Sequence, residues 1–303
     1  MNNIMLFNAI VICLLAPLAG ADNKRLGETE DWLPEQTFTS GIEGPAVDRA
    51  GNLYVVNLER QGTIGQVTDK NNANVFITLD NDSVANAIRF DAAGNMLLAD
   101  YVNHNILHVS MADKSVTVLA HDNRMHQPND IVLAEQGAVY ASDPNWADNS
   151  GQLWRIDTDA SVSLLESDMG TTNGIELSPD GRVLYVNESV QRNIWRYDVR
   201  ADGGIDNKQL MYKFADFGMD GMSVDVAGNL YIARYGAGKV AVLSPAGELL
   251  REVNLSGQYP TNLTFGGKDG KRVFVTMQKR GMIESFVNDL PGSDWAKLHA
   301  PQQ

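Results

Sequence analysis

A repeat constrains this chain more than anything else in it. Turn glycines stand at positions 51, 94, 137, 181, 228 and 270, spaced 43, 43, 44, 47 and 42 residues apart, and each introduces a short β-type run. A period of this length signals supersecondary units that bury their faces against one another. The turns Asp48-Arg49-Ala50-Gly51-Asn52, Asp91-Ala92-Ala93-Gly94-Asn95 and Asp225-Val226-Ala227-Gly228-Asn229 are near copies. An Asp that accepts hydrogen bonds from the turn backbone, followed by a Gly free to take positive φ, joins antiparallel strands. A third strand follows each hairpin, as at 151–156, 193–197 and 238–243, and a weaker fourth is expected near 116–119 and 162–165. With no long helical pattern, these repeats predict an all-β, six-bladed β-propeller. The segment from Glu35 to Ile42 is expected to add an outer strand to the last blade, since closing the ring removes exposed sheet edges. The last dozen residues read as a surface tail.

Eight residues before each glycine stands an oxygen-bearing side chain: Glu43, Asn86, Asn129, Asn173, Asp220 and Asn262. Six residues after each glycine a second polar set follows, Asn57, Asp100, Asp143, Asn187, Arg234 and Thr276. Both rings are expected at one mouth of the central channel, in strands that are otherwise apolar. Two carboxylates aimed into a narrow channel repel each other and lose hydration unless a cation neutralises them. An all-oxygen set without His or Cys suits a hard divalent ion. Glu43, Asn129, Asn173 and Asp220 are therefore the candidate ligands of one such ion, calcium first, with Mn²⁺, Mg²⁺ or Zn²⁺ as alternatives. Asn86 and Asn262 serve blade geometry equally well, because an Asn before a strand satisfies local backbone groups.

The repeats make the 303 residues one domain, although length alone would allow two. A formal charge of −14 without a basic cluster argues against nucleic acid and anionic membrane surfaces as partners. At the start, an apolar stretch from Ile4 to Leu18 precedes Ala19-Gly20-Ala21, the small-x-small pattern of a signal-peptidase site. Residues 1–21 are thus expected to be a cleaved signal peptide and 22–303 the propeller, exported to a periplasm or secreted. An uncleaved anchor is the alternative, since the leader has no Lys or Arg. The single cysteine, Cys13, lies in the leader, so the mature chain has neither disulfides nor thiolate chemistry.

At these residues the chain resembles the gluconolactonase and senescence-marker-protein family, the luciferin-regenerating-enzyme-like propellers. The resemblance spans about residues 40–285 and rests on Glu43-Gly44-Pro45, Pro128-Asn129-Asp130, Ser142-Asp143-Pro144, Asn173-Gly174-Ile175, Asp220-Gly221-Met222 and Pro260-Thr261-Asn262 in shared order. It implies that Glu43, Asn173 and Asp220 hold a catalytic divalent metal, with Asn129 on metal or substrate. The implied reaction is hydrolysis of a sugar lactone or related cyclic ester. Asp220 is the candidate general base and Asp143 the runner-up; Asn129, Arg234 and Asn86 are candidates for substrate contact, and His126 is a further possible base. Three departures touch the expected pocket wall: Val47 where many relatives have Trp, Gln127 where some sugar-specific members have Arg, and Ala87 where Gly is frequent. Two other readings stand beside the lactonase: another ester or phosphotriester hydrolase of this fold, and a non-catalytic exported ligand-binding propeller with a structural ion.

Overall fold

The computed structural model describes residues 26–300, so the leader and its cleavage site lie outside the described residues. The chain forms six four-stranded antiparallel sheets, one per repeat. The first described strand, β1 (Thr29–Asp31), belongs to the last sheet and is taken up below. Blade 1 is β2 (Phe38–Val47), β3 (Leu53–Leu58), β4 (Thr63–Asp69) and β5 (Asn72–Thr78). Blade 2 is β6 (Ala85–Phe90), β7 (Met96–Asp100), β8 (Asn105–Val109) and β9 (Val116–His121). Blade 3 is β10 (Ile131–Leu133), β11 (Val139–Asn145), β12 (Ser150–Ile156) and β13 (Val162–Gly170). Blade 4 is β14 (Thr172–Leu177), β15 (Val183–Glu188), β16 (Asn193–Val199) and β17 (Ile205–Lys213). Blade 5 is β18 (Met222–Val224), β19 (Leu230–Arg234), β20 (Lys239–Leu243) and β21 (Leu249–Asn254). Blade 6 is β22 (Pro260–Gly266), β23 (Arg272–Met277) and β24 (Met282–Val287), completed by β1.

The first strand of each blade touches the first strands of both neighbours, from β2 through β6, β10, β14, β18 and β22 and back to β2. Those six strands therefore surround the axis. The core lies between the sheets, in six apolar clusters that each join two adjacent blades; the closing one sets Ile42, Val47 and Leu53 of blade 1 against Phe274 and Ile283 of blade 6.

All six turn glycines take positive φ, from 69° to 92°. The predicted turn chemistry is present: Asp48 and Asp91 each accept from the backbone N–H of the Asn four residues on at 2.8 Å, and Asp225 does so at 3.0 Å.

Ring closure differs from the sequence expectation. Thr29–Asp31, not the segment from Glu35 to Ile42, pairs with the outer edge of β24 (Thr29↔Phe286, Asp31↔Glu284). Residues 38–42 instead continue into β2, the innermost strand of blade 1, where Phe38 pairs with Leu58 and Glu43 with Val56. The C-terminal segment also differs. Residues Ser293–His299 form a helix, α1, with Asp294 in its first turn and Lys297 in its last, charges that suit the helix dipole. Its Trp295 stacks on His299 and packs against two interblade clusters.

Candidate active site

The channel opens into two cavities. One, of about 780 Å³, lies at the end carrying the hairpin turns and α1, with Asp91, Asp180, Gly181 and Trp295 in its wall. The other, of about 750 Å³, lies at the opposite mouth and takes in Glu43, Asn86, Asn129, Asn173 and Asp220. Five of the six residues at the eight-before position thus converge. They do so because they sit on, or immediately before, the six axial strands at one level.

Close packing fixes that level. Glu43, Asn173 and Asp220 are each followed by glycine, and the next blade leaves no room for a side chain there. A Cβ on Gly44 would lie 2.6 Å from Ala87 Cα, on Gly174 2.6 Å from the Asp220 carbonyl oxygen, and on Gly221 2.0 Å from Asn262 Cγ. The sixth member, Asn262, is 2% exposed and does not line the cavity. Its Oδ1 accepts from Leu263 N–H at 2.8 Å, and its side chain hydrogen-bonds to the carboxylates of Glu43 and Asp130. Asn86 lines the cavity and also donates to the Asn129 carbonyl oxygen at 3.3 Å, tying blade 2 to blade 3.

Glu43 and Asp220 interact directly, and both carboxyls sit above their ordinary range. Burial raises Glu43 from 4.5 to about 8; the Gly44 N–H, 2.9 Å from Oε2, opposes this and the Asp130 charge adds to it. Burial, and then repulsion from Glu43, pushes Asp220 well up. Beside them Asn173 Oδ1 is buried and accepts no hydrogen bond. An orphaned amide oxygen next to two mutually repelling carboxylates calls for a cation. Among the described residues there is no group of three or more His, Cys, Asp or Glu placed to hold a metal, so the donor set is two carboxylates completed by amide oxygens. That set fits one hard divalent ion, which Glu43, Asn173 and Asp220 would hold, with Asn129 beside them in the same cavity.

A charged group below this floor escaped the sequence reading. Asp130 is 1% exposed, and Arg89 Nη2 lies 3.4 Å from its Oδ1 and 3.9 Å from Glu176 Oε2. Burial opposes the charge on Arg89, but the two carboxylates outweigh it and hold the guanidinium charged. Burial, together with the Asp294 charge from α1, raises Glu176 to about 8 against the pull of Arg89. A signal was available: five residues before each turn glycine stand Ala46, Arg89, Val132, Glu176, Ser223 and Phe265, two charges in an otherwise uncharged and mostly apolar ring.

The second polar ring does not reach the cavity. It lies on the second strand of each blade, where side chains at this register turn toward neighbouring loops. Asp143, the alternative base, is fully buried and accepts from His126 N–H, Gln127 N–H, Gln152 Nε2 and Trp154 Nε1. Both of its oxygens are thus occupied in positioning the loop that carries Gln127, outside the cavity. His126 itself is exposed and outside the cavity. Arg234 faces away too: its Nη2 donates to the Asp216 carbonyl oxygen at 2.7 Å, and its guanidinium lies 3.5 Å from the Phe214 ring centroid. It holds the loop at 216–218 and lines no part of this cavity. Of the three departures only Gln127 lines this cavity; Val47 borders the other one, and Ala87 is buried against Gly44.

The wall above the floor is two-sided. Gln61, Asn86, Gln127 and Gln278 present amides from blades 1, 2, 3 and 6, whereas Trp146, Val190 and Phe217 present apolar surface from loops of blades 3 to 5. Arg192 stands beside that apolar side with a buried Nε that has no partner.

Fold and site define a six-bladed propeller with a carboxylate and amide cluster at one channel mouth. The family model described as SMP-30/Gluconolactonase/LRE-like region matches residues 42–279, and the chain belongs to that family. It is 31% identical over 146 residues to a 6-deoxy-6-sulfogluconolactonase of Pseudomonas putida, covering 47% of this chain and 50% of that protein. It is 29% identical over 218 residues to a gluconolactonase of Zymomonas mobilis, covering 63% and 60%. The matches thus span half to three fifths of these relatives' own length. A gluconolactonase structure from Xanthomonas campestris superposes with a TM-score of 0.73 at 22% identity, covering 87% of this chain and 89% of that one. A calcium-binding regucalcin from Agrobacterium tumefaciens gives 0.74 at 20% identity, covering 84% and 92%. At such identities the likeness is one of fold.

Proposed function

We propose that this protein is a metal-dependent hydrolase of a lactone or related cyclic ester, working at the mouth that holds Glu43, Asn173 and Asp220. The observation that carries the reading is the pairing of two mutually repelling carboxylates, Glu43 buried and Asp220 partly exposed, with the partnerless Asn173 Oδ1 on the floor of a substrate-sized cavity. The relatives named for lactone hydrolysis support it.

A divalent cation bound there, calcium in the first instance, supplies Lewis acidity toward the ester carbonyl. The Asp220 carboxylate serves as general base, taking a proton from the attacking water; its partial exposure at the cavity leaves it reachable. Glu43 and Asn173 hydrogen-bond to the Asp220 carboxyl and keep it in place, and Asn262 holds Glu43 in turn. Asn129, Asn86 and Gln127 orient the polar atoms of the ring. Asp143 acts one step removed by pinning the backbone N–H groups of His126 and Gln127. The leader pattern supports export of the mature chain, and the acidic surface a small-molecule partner.

The test is acid release from aldonolactones and simple lactones by chelated protein, with calcium or manganese added back. Restored turnover that Asp220→Ala abolishes supports the hydrolase. Zero rate with every metal and lactone overturns it. A calcium-dependent rise in melting temperature without turnover would leave a non-catalytic binding propeller.

A further inference from the structure

We propose that the substrate of this site is a lactone bearing an extended apolar arm, alkyl or aryl, and that Trp146, Val190 and Phe217 form the surface that binds the arm. The inference rests on the hydrolytic reading above and deepens it.

Trp146 is 43% exposed, Val190 49% and Phe217 54%, yet all three line the same cavity as the carboxylate floor. Large apolar side chains left open to water in one contiguous patch mark a binding surface. Here the three side chains share one cavity, and the loops that carry them are tied together. Gln191 Nε2 donates to the Asn149 carbonyl oxygen at 3.0 Å, linking the Val190 loop to the Trp146 loop. Ser189 Oγ donates to the Met219 carbonyl oxygen, and Phe214 N–H to the Arg192 carbonyl oxygen at 3.0 Å, linking it to the Phe217 loop.

Phe217 is also held in a conformation it would not choose. Its φ is +47°, a left-handed backbone that costs a bulky side chain on the order of 1–3 kcal/mol. Arg234, 3% exposed at its side chain, bonds to the carbonyl oxygens on both sides, Asp216 at 2.7 Å and Gly218 at 3.4 Å. A buried arginine is thus spent on keeping an exposed phenylalanine at the cavity mouth.

Opposite this wall stand the amides of Gln61, Asn86, Gln127 and Gln278. A substrate that satisfies both sides has a polar ring over the floor and an apolar arm lying toward blades 3 to 5. A fully hydroxylated sugar lactone would find no partners in Trp146, Val190 or Phe217 for the hydroxyl groups it set against them, and Arg192 beside them offers charge to only part of that side.

The experiment compares δ-valerolactone, δ-decalactone and glucono-δ-lactone with calcium-loaded protein, and then with Trp146→Ser and Phe217→Ser. The expected result is a kcat/KM for δ-decalactone at least tenfold above either of the others, since a few methylenes in an apolar site are worth that much. Each variant should lower the ratio of δ-decalactone to δ-valerolactone at least fivefold while keeping the parent's melting temperature. Equal rates for armed and unarmed lactones, or a preference for glucono-δ-lactone, overturn the proposal and leave the hydrolase intact. Calorimetric titration with a pentyl-substituted cyclohexanone and with cyclohexanone tests the wall without turnover. Tenfold tighter binding of the former, lost in Phe217→Ser, upholds the wall even if no lactone is cleaved; equal binding sinks it. If the wall instead seats a second copy of the chain, sedimentation shows a dimer that Phe217→Ser dissociates, which also overturns the proposal.

Discussion

Asn187 Nδ2 donates to the main-chain carbonyl oxygen of Asp220 at 2.6 Å, so a side chain of blade 4 sets the position of a carboxylate belonging to blade 5. Neither residue lies on the other's sheet. Replacing Asn187 with Leu should leave that carbonyl unsatisfied, costing about 1–3 kcal/mol in urea denaturation. It should also weaken calcium binding, measured by titration, although Asn187 lines no part of the cavity. Unchanged calcium affinity in a destabilised variant would show that the bond serves blade packing alone.

Removing one of the repelling carboxylates should separate ion binding from stability. Without calcium, Asp220→Asn is expected to melt roughly 2–4 °C higher than the parent, because one buried like charge is gone. With calcium the order should reverse: at free calcium one hundredfold above its Kd the parent gains about 2.7 kcal/mol, and the variant gains little. Calorimetric scans with and without calcium read both arms, and equal calcium shifts in the two proteins would remove Asp220 from the ligand set.

Glu176 gives a pH dependence away from the ion site. Its folded pKa, about 8, lies above its ordinary 4.5, so between these values the folded state holds the proton more tightly than the unfolded chain. Stability should therefore fall as pH rises from about 4.5 to about 8, by an amount on the order of a few kcal/mol. Glu176→Gln should flatten that part of the profile, and Asp294→Asn should shift it to lower pH by removing a neighbouring negative charge. Denaturant midpoints at closely spaced pH values, with calcium held saturating, measure the slope. A parallel slope in Glu176→Gln would assign it to another group.

Arg234→Met keeps much of the packing on Phe214 but removes the bonds to the Asp216 and Gly218 carbonyl oxygens. The loop at 216–218 should loosen, becoming a site of limited proteolysis, at about 1–3 kcal/mol in overall stability. A cleavage pattern identical to the parent's would mean that the strained Phe217 is held by its packing against Gly236 instead.

Among the relatives matched, names differ in the lactone they specify, which makes the wall of the cavity more informative about this chain than its floor. Gln127 and Phe217 stand in that wall. Gln127 was visible in sequence as a departure. Phe217 was not, since nothing local marks a phenylalanine between Asp216 and Gly218 as exposed, strained or part of the same cavity wall as Trp146.

The sequence by itself determined the six blades and the residues of the floor. Both are periodic, and a propeller converts one residue per repeat into one point on the axis. Glu43, Asn173 and Asp220 could be found because a single offset from a turn glycine locates them all. Only the tertiary structure decided which polar residues face the cavity. Asp143 and Arg234 share an equally regular offset, yet strand pleat and neighbouring loops turn them into buttresses. The group formed by Arg89, Asp130, Glu176 and Asp294 draws on three blades and the C-terminal helix, and the closing strand Thr29–Asp31 found its partner across nearly the whole chain. Such contacts follow from which surfaces meet when the ring closes, and no local pattern encodes them.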